Sequence, residues 1–152
     1  MTNTENSIER QIQIKAPVEK VWEALTNAQI FGQWFGAKFQ SSFVAGKTSK
    51  ARNTTKGFEM DMEFMIKDIR PQTYFSYAWH PFPMDKTFDY SKEEPTLVEF
   101  HLEKTATGTL LKVKESGFNK VTASRRAEAF KMHSGGWDGQ LRNIEAFLVE
   151  KK

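Results

Sequence analysis

Five side chains in this sequence have the chemistry to move a proton or orient a polar ligand: Arg10, His80, His101, Glu115 and His133. The three histidines are scattered. None stands four residues from another or beside a second ligand type, so the spacing predicts no metal site. His101 falls on the outer face of its strand, next to Glu99 and Glu103. Glu115 shares a strand face with Leu111 and Val113, and Arg10 shares one with Ile8 and Ile12. If both faces line the interior, an acid and a guanidinium look into an apolar space, where burial can raise a carboxyl pKa. The alternative is that the two pair with each other or sit at an open rim, satisfied and inert. His80 ends an aromatic strand and opens a connection of about fifteen residues, Pro81 to Pro95, a length typical of lids and binding loops. Just before it, Tyr77 and Trp79 can offer a hydroxyl and an indole N–H to a ligand while stacking on it, or can simply pack against Trp137.

Other chemistries are absent from the pattern. The chain has no cysteine, which removes disulfides, thiolate zinc sites and a thiol nucleophile and suits a reducing, cytoplasmic setting. No Gly-x-Ser-x-Gly elbow and no Gly-rich phosphate loop between strand and helix occurs. No cofactor is expected. The net charge of +3 is spread out, its densest stretch being Lys47, Lys50, Arg52 and Lys56, so nucleic-acid binding is not expected. No apolar run approaches the ~18–20 residues needed to span a bilayer, and the opening residues lack the apolar stretch of a signal peptide.

The elements that must position these side chains can be read from periodicity. A length of 152 residues fits one domain. Residues 1–7 are expected to be a flexible N-terminus and residues 8–150 a single domain. Ile8, Ile12 and Ile14 alternate with polar residues as in a half-buried strand. Pro17 opens a helix whose apolar face is Val18, Val21, Trp22 and Leu25. Asn27 caps a second short helix containing Ile30, Phe31 and Trp34, which Gly36 ends. Two short strands flank the turn at Ala45-Gly46-Lys47. Period-two strands then follow around Phe58, Met60, Met62 and Phe64; Phe75, Tyr77 and Trp79; Val98, Phe100 and Leu102; and Leu111, Val113 and Glu115. Short connections make the sheet antiparallel. Ala127, Phe130, Ser134, Trp137, Leu141, Ile144 and Leu148 recur in steps of three and four, one stripe of a helix on the order of 35–40 Å long. Gly135, Gly136 and Gly139 each cost about 1 kcal/mol relative to Ala, and they predict a kink or break near Ser134–Gly136.

The pattern is α+β: a curved antiparallel sheet of six to seven strands, two short N-terminal helices and a long C-terminal helix. The run Ile14-Lys15-Ala16-Pro17-Val18-Glu19-Lys20-Val21-Trp22-Glu23-Ala24-Leu25-Thr26 resembles the opening of the START-like (helix-grip, SRPBCC) superfamily. Gln33-Trp34-Phe35-Gly36, Ser116-Gly117-Phe118 and Gly135-Gly136-Trp137 with Leu141 resemble its later signatures. Together they are similar to the branch named after the C-terminal domain of the activator of the heat-shock-protein-ninety ATPase. Trp79-His80-Pro81, Asp89-Tyr90-Ser91 and Thr96-Leu97-Val98-Glu99-Phe100 resemble a bacterial subgroup of it. The resemblance implies a helix-grip fold over residues 8 to 149. It does not select among lipid, hormone or polyketide binding, cyclisation and co-chaperone roles.

Thirteen Phe, four Trp and three Tyr must fill either a core or the walls of a pocket. The leading expectation is binding of an apolar small molecule, such as a lipid, flavonoid or polyketide-like aromatic, in a cavity between sheet and C-terminal helix. Its walls are expected from Trp34, Phe39, Met60, Met62, Phe64, Phe75, Tyr77, Trp79, Phe100, Val113, Phe130, Trp137 and Leu141, with Arg10, His80 and Glu115 supplying orientation. Met60, Met62, Met65 and Met132 suit adaptable walls and an ordinary core equally. Two other classes stay open: a cyclase- or hydrolase-type enzyme using Glu115 or His80 as base, and a co-chaperone-like interaction domain with a chaperone partner.

Overall fold

The computed structural model describes residues 6–57, 59–81, 83 and 87–149. Met1 to Glu5 of the expected N-terminal extension, Phe58 of the expected fourth-strand pattern, Phe82 and Met84 to Lys86 of the long connection, Glu150 at the end of the expected domain, and Lys151 and Lys152 lie outside the described residues.

Seven strands form one sheet in the order β1-β7-β6-β5-β4-β3-β2, every neighbouring pair antiparallel. They are β1 (Ser7–Ile14), β2 (Ala37–Phe39), β3 (Thr48–Asn53), β4 (Met60–Arg70), β5 (Tyr74–Trp79), β6 (Thr96–Thr105) and β7 (Gly108–Ser116). Helices α1 (Val18–Thr26) and α2 (Ala28–Phe35) fall between β1 and β2, and α3 (Ala123–Val149) closes the chain. The sequence is therefore a meander whose first strand returns to pair with its last, a curved sheet gripping one long helix. Asn6 already takes part: its carbonyl accepts from Gly117 and Phe118, and its side chain from the backbone of Asn119.

Local chemistry accounts for the boundaries. Pro17, at φ −66° and ψ 153°, is the cap of α1 rather than its first residue. The Asn27 side chain accepts from the backbone N–H groups of Gln29 and Ile30 at 3.0 and 3.1 Å, satisfying two orphan donors at the start of α2. Gly36 ends that helix in the left-handed region at φ 93°, where a Cβ would be strained. Between β4 and β5 the pairing slips at Ile66/Ile69, and the Asp68 N–H turns to the Ser76 hydroxyl at 3.2 Å. Such a bulge bends the strand that carries it.

The break expected in the last helix does not occur. α3 runs unbroken for 27 residues across all three glycines. Their backbone groups still join the hydrogen-bonded ladder, and the cost of about 1 kcal/mol each is offset by burial of Ala129, Trp137, Leu141 and Ile144. The buried stripe also differs at its start, where Ala129 is buried and Ala127 exposed.

Most of the space between sheet and helix is filled. Phe31 of α2 lies at the centre of rings from Trp34, Phe35, Phe39, Phe43, Phe64 and Tyr77, at centroid separations of 4.6 to 6.3 Å. The cluster continues through Phe75 and Phe100 to Trp137. The indole N–H of Trp34 is taken by the Ala24 carbonyl at 2.8 Å, which ties α2 to α1.

Candidate functional site

A fully buried carboxylate lies within the apolar interior. Glu115, on the inner face of β7 opposite Val98 and Ile8, has no exposed surface. A carboxylate there is costly unless its oxygens are filled. They are filled from three elements. Oε2 accepts from the Trp79 indole of β5 at 2.8 Å and from the Thr96 hydroxyl of β6 at 2.5 Å. Oε1 meets His133 Nδ1 at 2.7 Å and accepts from the Trp137 indole at 2.9 Å. His133 and Trp137 stand four residues apart, so one face of α3 brings both down on the acid.

This arrangement reverses the electrostatics expected from the sequence. Burial pushes the Glu115 carboxyl up, but the His133 charge and the hydrogen bonds from His133, Thr96 and Trp137 outweigh it and hold it below the usual carboxylate range. The Tyr77 hydroxyl is pushed well up by burial and by the Glu115 charge. It has no hydrogen-bond partner among the described residues.

Arg10 does not reach Glu115. It lies at the rim, donating from Nε to Asp138 at 2.8 Å and from Nη2 to the Ser134 carbonyl at 3.4 Å, a strap between β1 and α3. His80 also stands apart. Its Nδ1 is buried without a hydrogen-bond partner among the described residues, and its ring lies 6.1 Å from Tyr90. Burial lowers its pKa; the Glu93 charge opposes that shift and the Arg125 charge adds to it. Beside it Glu93, its side chain buried, accepts from Arg125 at 2.6 Å and from the Thr122 N–H at 2.9 Å. Arg125 also lies over the Tyr90 ring at 4.8 Å, so this cluster docks the end of the long connection on the start of α3.

Above the Glu115 cluster a cleft of about 210 Å³ opens between β3, β4 and α3. Rings of Phe35, Trp79, Trp137 and His133 form one part of its wall, and Met60, Met62 and Met132 another. Asn53, Thr55 and Gln140 add polar atoms, and Gly136 supplies bare backbone at which an added Cβ would meet nothing within 4 Å. Three of the four groups holding Glu115 therefore face the cleft.

A family model for "Activator of Hsp90 ATPase homolog 1-like protein" matches residues 15–149. The chain belongs to that family. No curated protein matches it. Among solved structures it is similar to MLL2253 from Mesorhizobium loti, at 23% identity and TM-score 0.75, over 96% of this chain and 98% of that one. It is similar to the Aha1 dimer from Colwellia psychrerythraea at 20% identity and TM-score 0.72, over 96% and 98%. It is also similar to DynU16, a putative protein in the dynemicin biosynthetic locus, at 19% identity and TM-score 0.70, over 96% of this chain and 48% of that one. At these identities the likeness is one of fold, and that fold is the START-like one.

Within this activator-homolog fold, four of the expected wall residues, Met60, Met62, Trp79 and Trp137, border the cleft. Phe64, Phe75, Tyr77, Phe100, Val113 and Leu141 are buried in the core beside it. Trp34 and Phe39 pack in the aromatic cluster around Phe31, and Phe130 packs on Phe118. Sequence reasoning did not bring His133 or Thr96 to Glu115. The signals were there: His133 precedes Trp137 by one helical turn, and Thr96 lies two residues before Val98 on the same strand face. Asn53, Thr55 and Gln140 carry no such signal. Among the described residues no group of three or more potential ligands could hold a metal, and no helix is long and apolar enough to cross a membrane.

Proposed function

We propose that this protein binds a small apolar molecule, aromatic in character, in the cleft under α3. The observation that carries the reading is the cleft wall itself, in which aromatic rings and three methionines surround a few polar atoms, the composition of a ligand site. Its volume lies below the ~300–1,000 Å³ of sites for drug-sized ligands, which favours one or two rings over a sterol or a long acyl chain. The likeness to DynU16, a putative protein of a biosynthetic locus, fits a small-molecule role. A cytoplasmic location goes with the proposal.

The other two classes have less behind them. Glu115 is sealed from the cleft by its own hydrogen bonds, and His80 does not border it, so neither is poised as a base there. A chaperone-binding role rests on the family's name. Among the described residues the exposed large hydrophobic side chains are Val44 and Val149, well separated in sequence and not an evident docking patch.

The test is a thermal-shift screen with two-ring aromatics, flavonoids, fatty acids and sterols. A ligand at about 100 times its dissociation constant adds roughly 2.7 kcal/mol, several degrees for a domain of this size. The expected result is a selective shift with the small aromatics that disappears in Gly136→Leu, which fills the cleft from bare backbone. Absence of any shift, or a shift that survives Gly136→Leu, overturns the proposal.

A further inference from the structure

The inner face of β3 ends in a polar side chain. Ser49, Ala51 and Asn53 alternate with exposed residues, and cross-strand pairing sets Ala51 beside Met62 and Asn53 beside Met60, the two cleft methionines of β4. Asn53 is only 9% exposed, and it borders the cleft. Its Oδ1 accepts from the Thr55 backbone N–H at 2.8 Å. A backbone N–H can only donate, so the oxygen end of the amide must face it, and this bond fixes which way round the side chain sits. The other end, Nδ2, makes no hydrogen bond among the described residues. Unlike the Tyr77 hydroxyl it is not sealed in the core, and on a side chain buried this deeply the cleft is where it meets solvent.

Such a donor constrains what can displace the solvent. A purely apolar ligand would leave the amide N–H bonds unpaired against rings and thioethers, whereas one carrying an acceptor oxygen at that edge keeps them paired. Charge narrows the ligand further. Among the described residues no Lys, Arg, Asp or Glu borders the cleft, and the titratable side chain that does, His133, lies 2.7 Å from the ionised Glu115. Whichever protonation state the ring takes, that pair carries no net positive charge. An anionic ligand would therefore be desolvated with no net positive charge at the wall to receive it, a cost that a neutral acceptor avoids.

Resting on the cleft being a ligand site, we infer that it selects small aromatic molecules bearing a neutral carbonyl, the aryl ketone and quinone class, whose oxygen accepts from Asn53 Nδ2 while the ring lies along Met60 and Met62. Asn53 is then the residue that sets specificity, and the Thr55 backbone N–H holds its amide with the donor end towards the ligand.

The experiment compares 1-tetralone, tetralin and 2-naphthoate, binding each to the intact protein by calorimetry near neutral pH. The expected order is 1-tetralone about three- to tenfold tighter than tetralin, one net hydrogen bond, and naphthoate weaker than both. Asn53→Asp keeps an oxygen for the Thr55 N–H and puts an acceptor where the donor was. In that variant 1-tetralone should bind at least about tenfold more weakly while tetralin affinity changes less than about threefold, the apolar wall being kept. Proton–nitrogen NMR of the unmodified protein gives a readout independent of the variant's folding: the Asn53 side-chain NH₂ pair should move on adding 1-tetralone and far less on adding tetralin. Equal binding of tetralone and tetralin, naphthoate binding as tightly as tetralone, a tetralone preference that survives Asn53→Asp, or an Asn53 amide indifferent to tetralone overturns the carbonyl assignment while the cleft stays a ligand site. Binding of none of the three overturns the ligand-site reading along with it.

Discussion

Glu115 carries a negative charge into the core at a point where two indoles, a hydroxyl and an imidazole converge. Each of these donors is buried or half-buried, so each needs the carboxylate as much as the carboxylate needs them. Glu115→Gln offers one acceptor oxygen where four donors point and puts an amide N–H₂ against the rest. It should lower unfolding stability by about 2–3 kcal/mol, measured by urea denaturation. Tyr77 makes the contrast. Its hydroxyl is as deeply buried but has no partner among the described residues, so Tyr77→Phe removes a desolvated group and no bond. That variant should be neutral or more stable by up to about 1 kcal/mol; a loss larger than that would mean the hydroxyl has a hydrogen bond in solution, through water. Both faces of this chemistry were partly legible in the sequence. Alternation put Glu115 and Tyr77 inward, but strand pattern cannot report which helix residue will descend on them.

The elements were legible where local chemistry decides them. Pro17, Asn27 and Gly36 mark helix ends by φ restriction, side-chain capping and positive φ, and none of these needs tertiary information. α3 went the other way. Three glycines in five positions predict a break, yet the helix continues, because its stability comes from the buried face rather than from propensity. The glycines remain a local cost. At Gly135 and Gly139 an added Cβ meets nothing within 4 Å, so Gly135→Ala and Gly139→Ala should each stabilise by up to about 1 kcal/mol, seen as a rise in Tm. Gly32 behaves oppositely: a Cβ there would run into the Ala37 carbonyl where α2 passes β2, and Gly32→Ala should destabilise. If Gly135→Ala and Gly139→Ala instead lower Tm, α3 bends in solution at the point the sequence suggests.

At the scale of the whole molecule, the aromatic side chains that had to fill either a core or the walls of a pocket mostly pack ring against ring, and a cleft opens where methionines and Gly136 stand beside them. Composition cannot distinguish these uses of a ring, since both bury it. What then holds the sheet, the long connection and α3 together as pH changes is a small set of buried ionisable groups. Glu115 joins β5, β6 and β7 to α3, and Glu93 joins the connection before β6 to Arg125. Both carboxyls are held below their ordinary range in the fold. For Glu115 and Glu93 alike, burial opposes this, outweighed in the first by the His133 charge and hydrogen bonds, in the second by hydrogen bonds from Arg125 and Thr122 and the Arg125 charge. The unfolded chain therefore binds more protons than the folded one between the folded and unfolded pKa values, and stability rises with pH there. Their contribution is complete above the unfolded carboxyl pKa of about 4.3 and is lost as pH falls through the folded values. His80 adds an earlier step of the same sign. Burial lowers the pKa of its ring in the fold, so the unfolded chain takes up the proton first and stability declines as pH drops below about 6.5. Urea midpoints measured from pH 8 to pH 3 should accordingly fall in two stages, a shallow one beginning near pH 6.5 and a steeper one below about 4.3. His80→Asn should flatten the first stage, and Glu115→Gln combined with Glu93→Gln should flatten the second while lowering the plateau. A midpoint that stays level down to pH 3 in the unmodified protein would mean that these carboxyls titrate alike in the folded and unfolded chain, so that the hydrogen bonds and charges around Glu115 and Glu93 do not favour their ionised forms.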